Sequence, residues 1–253
     1  MIPIRDANPA LTRPVITWLI IAAAAYVFFA VQPDQEDLLG DFLFEYAAIP
    51  CELTTLSPLD AGDLQGCNVG DLGTPFFPRK NLLASAFISM FLHANLAHLL
   101  GNLWSLWIFG NNVEDALGSG GYLLLYLASG VAATAAFVLS NPGELTPLVG
   151  ASGAISGVMG AYLVLFPRAR VVSVFPIFFF IPVALPAALF LILWFAGQFA
   201  LIGGATGIAW QAHVGGFLFG AAIAFVLRGP LLRRVEAHRR RLAGRRSGLQ
   251  GYR

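Results

Sequence analysis

The stretch Leu148–Phe166, LVGASGAISGVMGAYLVLF, carries no charged side chain. Its length is close to the roughly 20 apolar residues a helix needs to cross a bilayer. Working outward, five further runs read the same way: Val15–Val31, the last part of Phe87–Gly110, Gly121–Leu139, Ile177–Ile202 and Ile208–Leu227. Asn141-Pro142-Gly143 marks a turn before the run that begins at Leu148. Pro182 and Pro186 predict a kink or a late start in Ile177–Ile202. Val15–Val31 follows Arg5 and Arg13 without a convincing small-residue cleavage site, so it reads as a retained anchor rather than a signal peptide.

Composition agrees. The 253 residues are 57% hydrophobic and 11% charged, with a mean hydropathy of +0.73, whereas soluble domains are about 25% charged. Such a surface must largely face lipid, which excludes secreted, disordered and nucleic-acid-binding classes. The expected fold is an all-α membrane protein: a six-transmembrane-helix bundle with a large structured outward-facing first loop. Its expected divisions are a cytoplasmic N-terminus (1–14), a membrane domain (15–227, including the loop 32–80) and an arginine-rich cytoplasmic tail (228–253).

Charge sets the expected orientation. Nine of the fifteen Lys and Arg residues lie at or after Arg228, and nine of the fourteen acidic residues lie between Asp34 and Asp71. With six spans, Arg5, Arg13, Arg168, Arg170 and the tail share one side, which the positive-inside rule makes cytoplasmic. The tail then rests at the inner surface, against anionic lipid. The loop 32–80, the Asn141–Pro147 turn and the Gly203–Gly207 turn face outward. Cys51 and Cys67 both fall in that outward loop, as a disulfide or as two free thiols, and no His accompanies them as a zinc ligand would.

Polar groups inside a span are costly and mark function. His98 and Asn102 lie in the second span, Ser152 in the fourth and His213 in the sixth. Ser152 comes four residues after Leu148 and His213 five after Ile208, so both are expected about 6–8 Å below the outer boundary. The spacing of four places His98 and Asn102 on one helix face. Gly153, Gly157 and Gly160 on one span, with Gly216 and Gly220 on the other, predict two backbones in close approach. That approach is what lets a serine hydroxyl reach an imidazole base at about 2.6–3.2 Å. His93 is expected to pack near the outer interface, and His238 to be solvated or at lipid headgroups.

Three segments carry a resemblance: Phe91-Leu92-His93-Ala94-Asn95-Leu96-Ala97-His98-Leu99-Leu100-Gly101-Asn102, then Gly150-Ala151-Ser152-Gly153, then Ala212-His213-Val214-Gly215-Gly216. In this order they resemble the signatures of rhomboid intramembrane serine proteases. Asn112-Val113-Glu114-Asp115-Ala116-Leu117-Gly118 is similar to the family's segment after the second span. The resemblance covers about Phe87 to Leu227. It implies a rhomboid-like bundle in which Ser152 is the nucleophile, His213 its general base without an acidic third member, and His98 and Asn102 stabilise the oxyanion. It further implies cleavage of single-pass transmembrane substrates near the outer face, with no cofactor and no metal, in a multi-pass protein of a bacterial-type cell membrane. The competing readings are a catalytically silent helix-binding adaptor and a small transporter.

The chain departs from the family at two places. Ala84 and Ser85 stand where the family often has Trp-Arg, with Phe76-Phe77-Pro78-Arg79 nearby as a possible substitute anchor. Ser156 stands where some members place a Tyr against the histidine ring.

Overall fold

The computed structural model describes residues 2–63, 67, 74–174, 181–200, 202 and 207–250, with side chains up to Ala243. After strand β1 (Ile2–Asp6), helix α1 (Val15–Tyr26) runs into a π-helical turn over Val27–Val31. Two short helices, α2 (Glu36–Tyr46) and α3 (Pro50–Thr55), lie in the loop that follows. Helix α4 (Leu82–Ile88) and a 3-10 turn (Ser89–Phe91) meet α5 (Leu96–Leu117) at a bend of 81°. Then come α6 (Ser119–Ser140), α7 (Ser152–Leu165), strands β2 (Arg170–Val174) and β3 (Pro182–Pro186), α8 (Ala187–Phe199) and α9 (Trp210–Gln250). Among the described residues, α6 and the Trp210–Ala243 part of α9 are each long and apolar enough to cross a membrane, and the bent α4–α5 pair makes a third if taken as one span. Val15–Val31, α7 and α8 are apolar but shorter.

Helix α7 is the axis of the bundle. Every residue from Gly153 to Tyr162 is buried, packed chiefly against α9 and then against α6 and α5. The glycines explain how. A Cβ at Gly160 would run into the Phe217 carbonyl, and one at Gly216 or Gly220 into the backbone of Gly153 or Gly157. The expected close approach of two backbones is present, and only glycine leaves room for it.

Several helix boundaries can be set against the sequence reading. The run Leu148–Phe166 is not helical throughout: Leu148 donates its N–H to the Ala48 carbonyl at 2.8 Å and Gly150 to the Ser89 carbonyl at 2.9 Å. Those bonds, and the positive φ of +115° at Gly150, hold the chain out of a helix until Ser152. Ser152 is therefore reached through a non-helical segment rather than through four helical residues. The last part of Phe87–Gly110 is helical as expected: α5 starts at Leu96, where the Asn95 side chain caps it by accepting from His98 N–H at 2.9 Å. The segment Asn112–Leu117 forms the last turns of α5 instead of following it. The fifth run takes its late start: Pro182 and Pro186 bound strand β3, and the helix begins at Ala187. Residues 177–180 and 201 of that run and 203–206 of the expected outward turn lie outside the described residues.

The strands were not anticipated, because an apolar run rich in β-branched residues reads equally as span or strand. β2 pairs antiparallel with both β1 and β3. At this end of the bundle a polar network joins the N-terminal segment to α5. Helix α1 has no side-chain cap of its own, and the buried Glu114 carboxylate takes that role. It accepts from the N–H groups of Ile16 and Thr17 at 3.0 and 2.9 Å and from the Ser119 hydroxyl at 2.8 Å. Asp115 accepts from Leu11 N–H at 2.6 Å, and Tyr162 donates to Asp6 at 2.5 Å. Helix α9 does not stop at Leu227. It continues through Pro230, burying Leu231 and Val235, while Arg234 and Arg228 donate to the carbonyls of Leu117 and Val164 at 3.0 and 3.2 Å.

Candidate active site

Ser152 is the first residue of α7 and His213 lies in the first turn of α9. The glycine seam brings these two helix starts together, and His213 Nε2 stands 2.9 Å from Ser152 Oγ. This is the separation at which a base takes a hydroxyl proton. Gly150 has two reasons to be glycine. Its φ lies in the left-handed region, and a Cβ there would sit 2.6 Å from His98 Nε2 and 3.5 Å from Asn102 Nδ2. His98 and Asn102 thus crowd the backbone just before the serine. All four side chains singled out in the sequence line one cavity of about 820 Å³, whose walls also include Ser89, Thr134, Trp194 and Trp210.

Asn102 is buried, and its amide nitrogen makes no hydrogen bond among the described residues. A buried donor without a partner is costly unless something else supplies an acceptor. Behind His98 lies His93, fully buried, its ring edge-on at 5.2 Å between centroids. Gln32 clamps the His93 backbone from both sides, accepting from its N–H at 2.9 Å and donating to its carbonyl at 2.8 Å. His93 therefore packs beneath the site, against the His98 ring.

Two residues at the site escaped the sequence reading. Gln198 on α8 places Oε1 2.7 Å from His213 Nδ1, and the Trp194 ring lies 6.0 Å from the imidazole and 5.9 Å from Phe217. Trp194 covers the imidazole where Ser156 has no ring to offer; the Ser156 hydroxyl instead donates to the Ser152 carbonyl at 2.6 Å. The signal for Gln198 was present: it is the one hydrogen-bonding side chain in α8 apart from Trp194.

The loop before α4 is anchored onto the same end. Cys51 and Cys67 form a disulfide with a Cα–Cα distance of 5.7 Å. Cys51 N–H donates to the Glu144 carbonyl at 3.1 Å, and Ala48 N–H to the Ser89 hydroxyl at 2.7 Å. The cation that ties the loop down is Lys80, not a residue of Phe76–Arg79. It pairs with Glu52 at 2.5 Å, both side chains buried, and donates to the Phe44 carbonyl at 2.6 Å. Burial pushes the Lys80 ammonium below its usual range, and the Glu52 carboxylate opposes that shift. Ser85, in the place of the family's Arg, only bonds its own helix, at the Leu82 carbonyl.

Comparison with known proteins gives one family. A family model of the Rhomboid domain matches residues 80–230. The chain is 46% identical over 72 residues to "Rhomboid protease GluP" of Bacillus subtilis, covering 28% of this chain and 14% of that protein. It is 32% identical over 160 residues to "Rhomboid protein 1, mitochondrial" of Saccharomyces cerevisiae, covering 60% and 43%. It is also 32% identical over 104 residues to the human "Presenilin-associated rhomboid-like protein, mitochondrial", covering 40% and 27%. The matched region spans less than half the length of each of these relatives.

Proposed function

The chain belongs to the rhomboid family, and from that premise we propose that it is an intramembrane serine endopeptidase. Ser152 Oγ attacks a substrate carbonyl while His213 Nε2 takes the hydroxyl proton. The proton is then given to the departing amine, and water releases the acyl group from Ser152 by the reverse sequence. His98 and Asn102 donate to the oxyanion, with the amide end of α7 adding its dipole. The observation that carries this reading is the 2.9 Å contact between Ser152 and His213 within a bundle of apolar helices. The unpartnered Asn102 amide supports the oxyanion role.

In this reading six segments cross the membrane: Val15–Val31 and helices α5 to α9. α7 is short, about 21 Å for its 14 residues, and the non-helical residues 148–151 make up the remaining depth. The end bearing the disulfide faces outward, and the basic end of α9 faces the cytoplasm. The substrate is the transmembrane helix of a single-pass protein, unwound locally so that its carbonyls become accessible. It enters beside α8, where Ile192 and Leu193 are exposed.

A fluorophosphonate probe tests the chemistry without any choice of substrate. Labelling is expected on Ser152 of the wild type and is lost in Ser152→Ala and His213→Ala. A well-folded wild type that does not label would instead favour a silent helix-binding relative.

A further inference from the structure

We propose that Gln198 is the positioning residue of the dyad, a neutral third member that fixes which nitrogen of His213 carries the proton. The inference rests on the protease reading for its catalytic meaning, and on geometry for the assignment. Gln198 is buried at the end of α8. Its amide has one orientation that satisfies both neighbours. The Trp194 carbonyl can only accept, and it lies 3.2 Å from Gln198 Nε2. The amide oxygen must then face His213, whose Nδ1 is 2.7 Å away. An oxygen there can only accept, so His213 Nδ1 carries the hydrogen. The lone pair of Nε2 is thereby left facing the Ser152 hydroxyl at 2.9 Å.

The sequence Trp194 carbonyl, Gln198 amide, His213, Ser152 is a chain of four groups with one consistent direction. When Ser152 gives its proton to Nε2, the imidazolium keeps its Nδ1 hydrogen bond. Gln198 keeps both amide protons, so no proton moves beyond the ring. A carboxylate in this place would strengthen the base but would be a charge inside an apolar helix, where ionised groups are expensive. An amide supplies the same acceptor without that charge. Trp194 serves twice, through its ring against the imidazole and its carbonyl against the amide.

The test uses the full chain in lipid nanodiscs with three forms: wild type, Gln198→Met, which keeps the length but loses the acceptor, and Gln198→Glu, which keeps an oxygen. Histidine ¹⁵N spectra report the tautomer directly, the His213 signal being identified by its loss in His213→Ala. The wild type should show His213 protonated on Nδ1, and Gln198→Met should shift it to a mixture or to Nε2. Reporter kcat should fall at least about tenfold in Gln198→Met, a part of the roughly 10²–10⁴-fold that general acid–base catalysis contributes. KM should change by less than about twofold, and Gln198→Glu should recover most of the rate. A wild-type proton on Nε2, or an unchanged tautomer in Gln198→Met, overturns the proposal. So does a parallel loss of kcat and melting temperature in both variants with the tautomer intact, because that marks a packing role. Absence of all cleavage and labelling, with the tautomer still dependent on Gln198, would instead sink the protease reading and leave the assignment standing.

Discussion

The two flanks of His213 are built on opposite principles. Toward α7 the contact is backbone on backbone, set by glycines with no space for even a methyl group. Toward α8 it is made by side chains alone, a Trp ring and one amide, on a helix whose Leu189, Ile192 and Leu193 are exposed. The difference separates two requirements of one site. The distance between Ser152 and His213 rests on the glycine seam, while the orientation of the imidazole rests on side chains of a helix whose outer face is exposed.

The largest effect should come from breaking the glycine flank. Gly220→Val puts a side chain into the Gly157 backbone, and overpacking of a tight core typically costs about 1–3 kcal/mol, occasionally more. With backbone rather than a movable side chain as the obstacle, the cost is expected to exceed that range and reach the exceptional class above about 5 kcal/mol, seen as a strongly lowered melting temperature and loss of activity. A variant as stable as the wild type would mean that the seam is not close-packed. The outer anchor comes next. Glu52→Ala strands the buried Lys80 ammonium, and removing one partner of such a pair costs about 3–5 kcal/mol. The expected readout is faster proteolytic nicking of the loop before α4 and a lowered unfolding temperature; an unchanged nicking rate would show that the disulfide alone holds the loop.

Smaller still, and confined to chemistry, is Asn102→Ala. Loss of one oxyanion donor lowers kcat by about 10²–10³, with KM and melting temperature little altered. A fall in KM-dependent binding alone would remove Asn102 from the oxyanion role. The mildest perturbation is pH. His213 accepts the serine proton only when neutral, so cleavage should decline as pH falls through the imidazole titration and recover on return. A rate that stays flat well into the acid range would contradict its role as base.

The glycine flank was legible in the sequence and the side-chain one was not. Glycines at 153, 157, 160, 216 and 220, and four polar groups in apolar runs, need only local pattern to be noticed. The same pattern placed Ser152 inside a continuous helix. Its true position depends on hydrogen bonds to Ala48 and Ser89, far away in the chain, which no period reveals. Strands β2 and β3 were hidden because their apolar residues merge with the run leading into α8. Gln198 differs from these, since a lone amide in an apolar helix is itself a signal. It drew no notice because its partner, His213, stands 15 residues further on. The cysteines left two possibilities open, and only folding brings Cys51 and Cys67 into bonding distance.

In the proposed function, Ser152 and His213 together cut a peptide bond within the membrane. Its most direct test is cleavage of a reporter transmembrane helix by the purified protein in liposomes, with Ser152→Ala and His213→Ala alongside. The wild type should give a product and neither variant should. Equal cleavage by the wild type and by Ser152→Ala would contradict it.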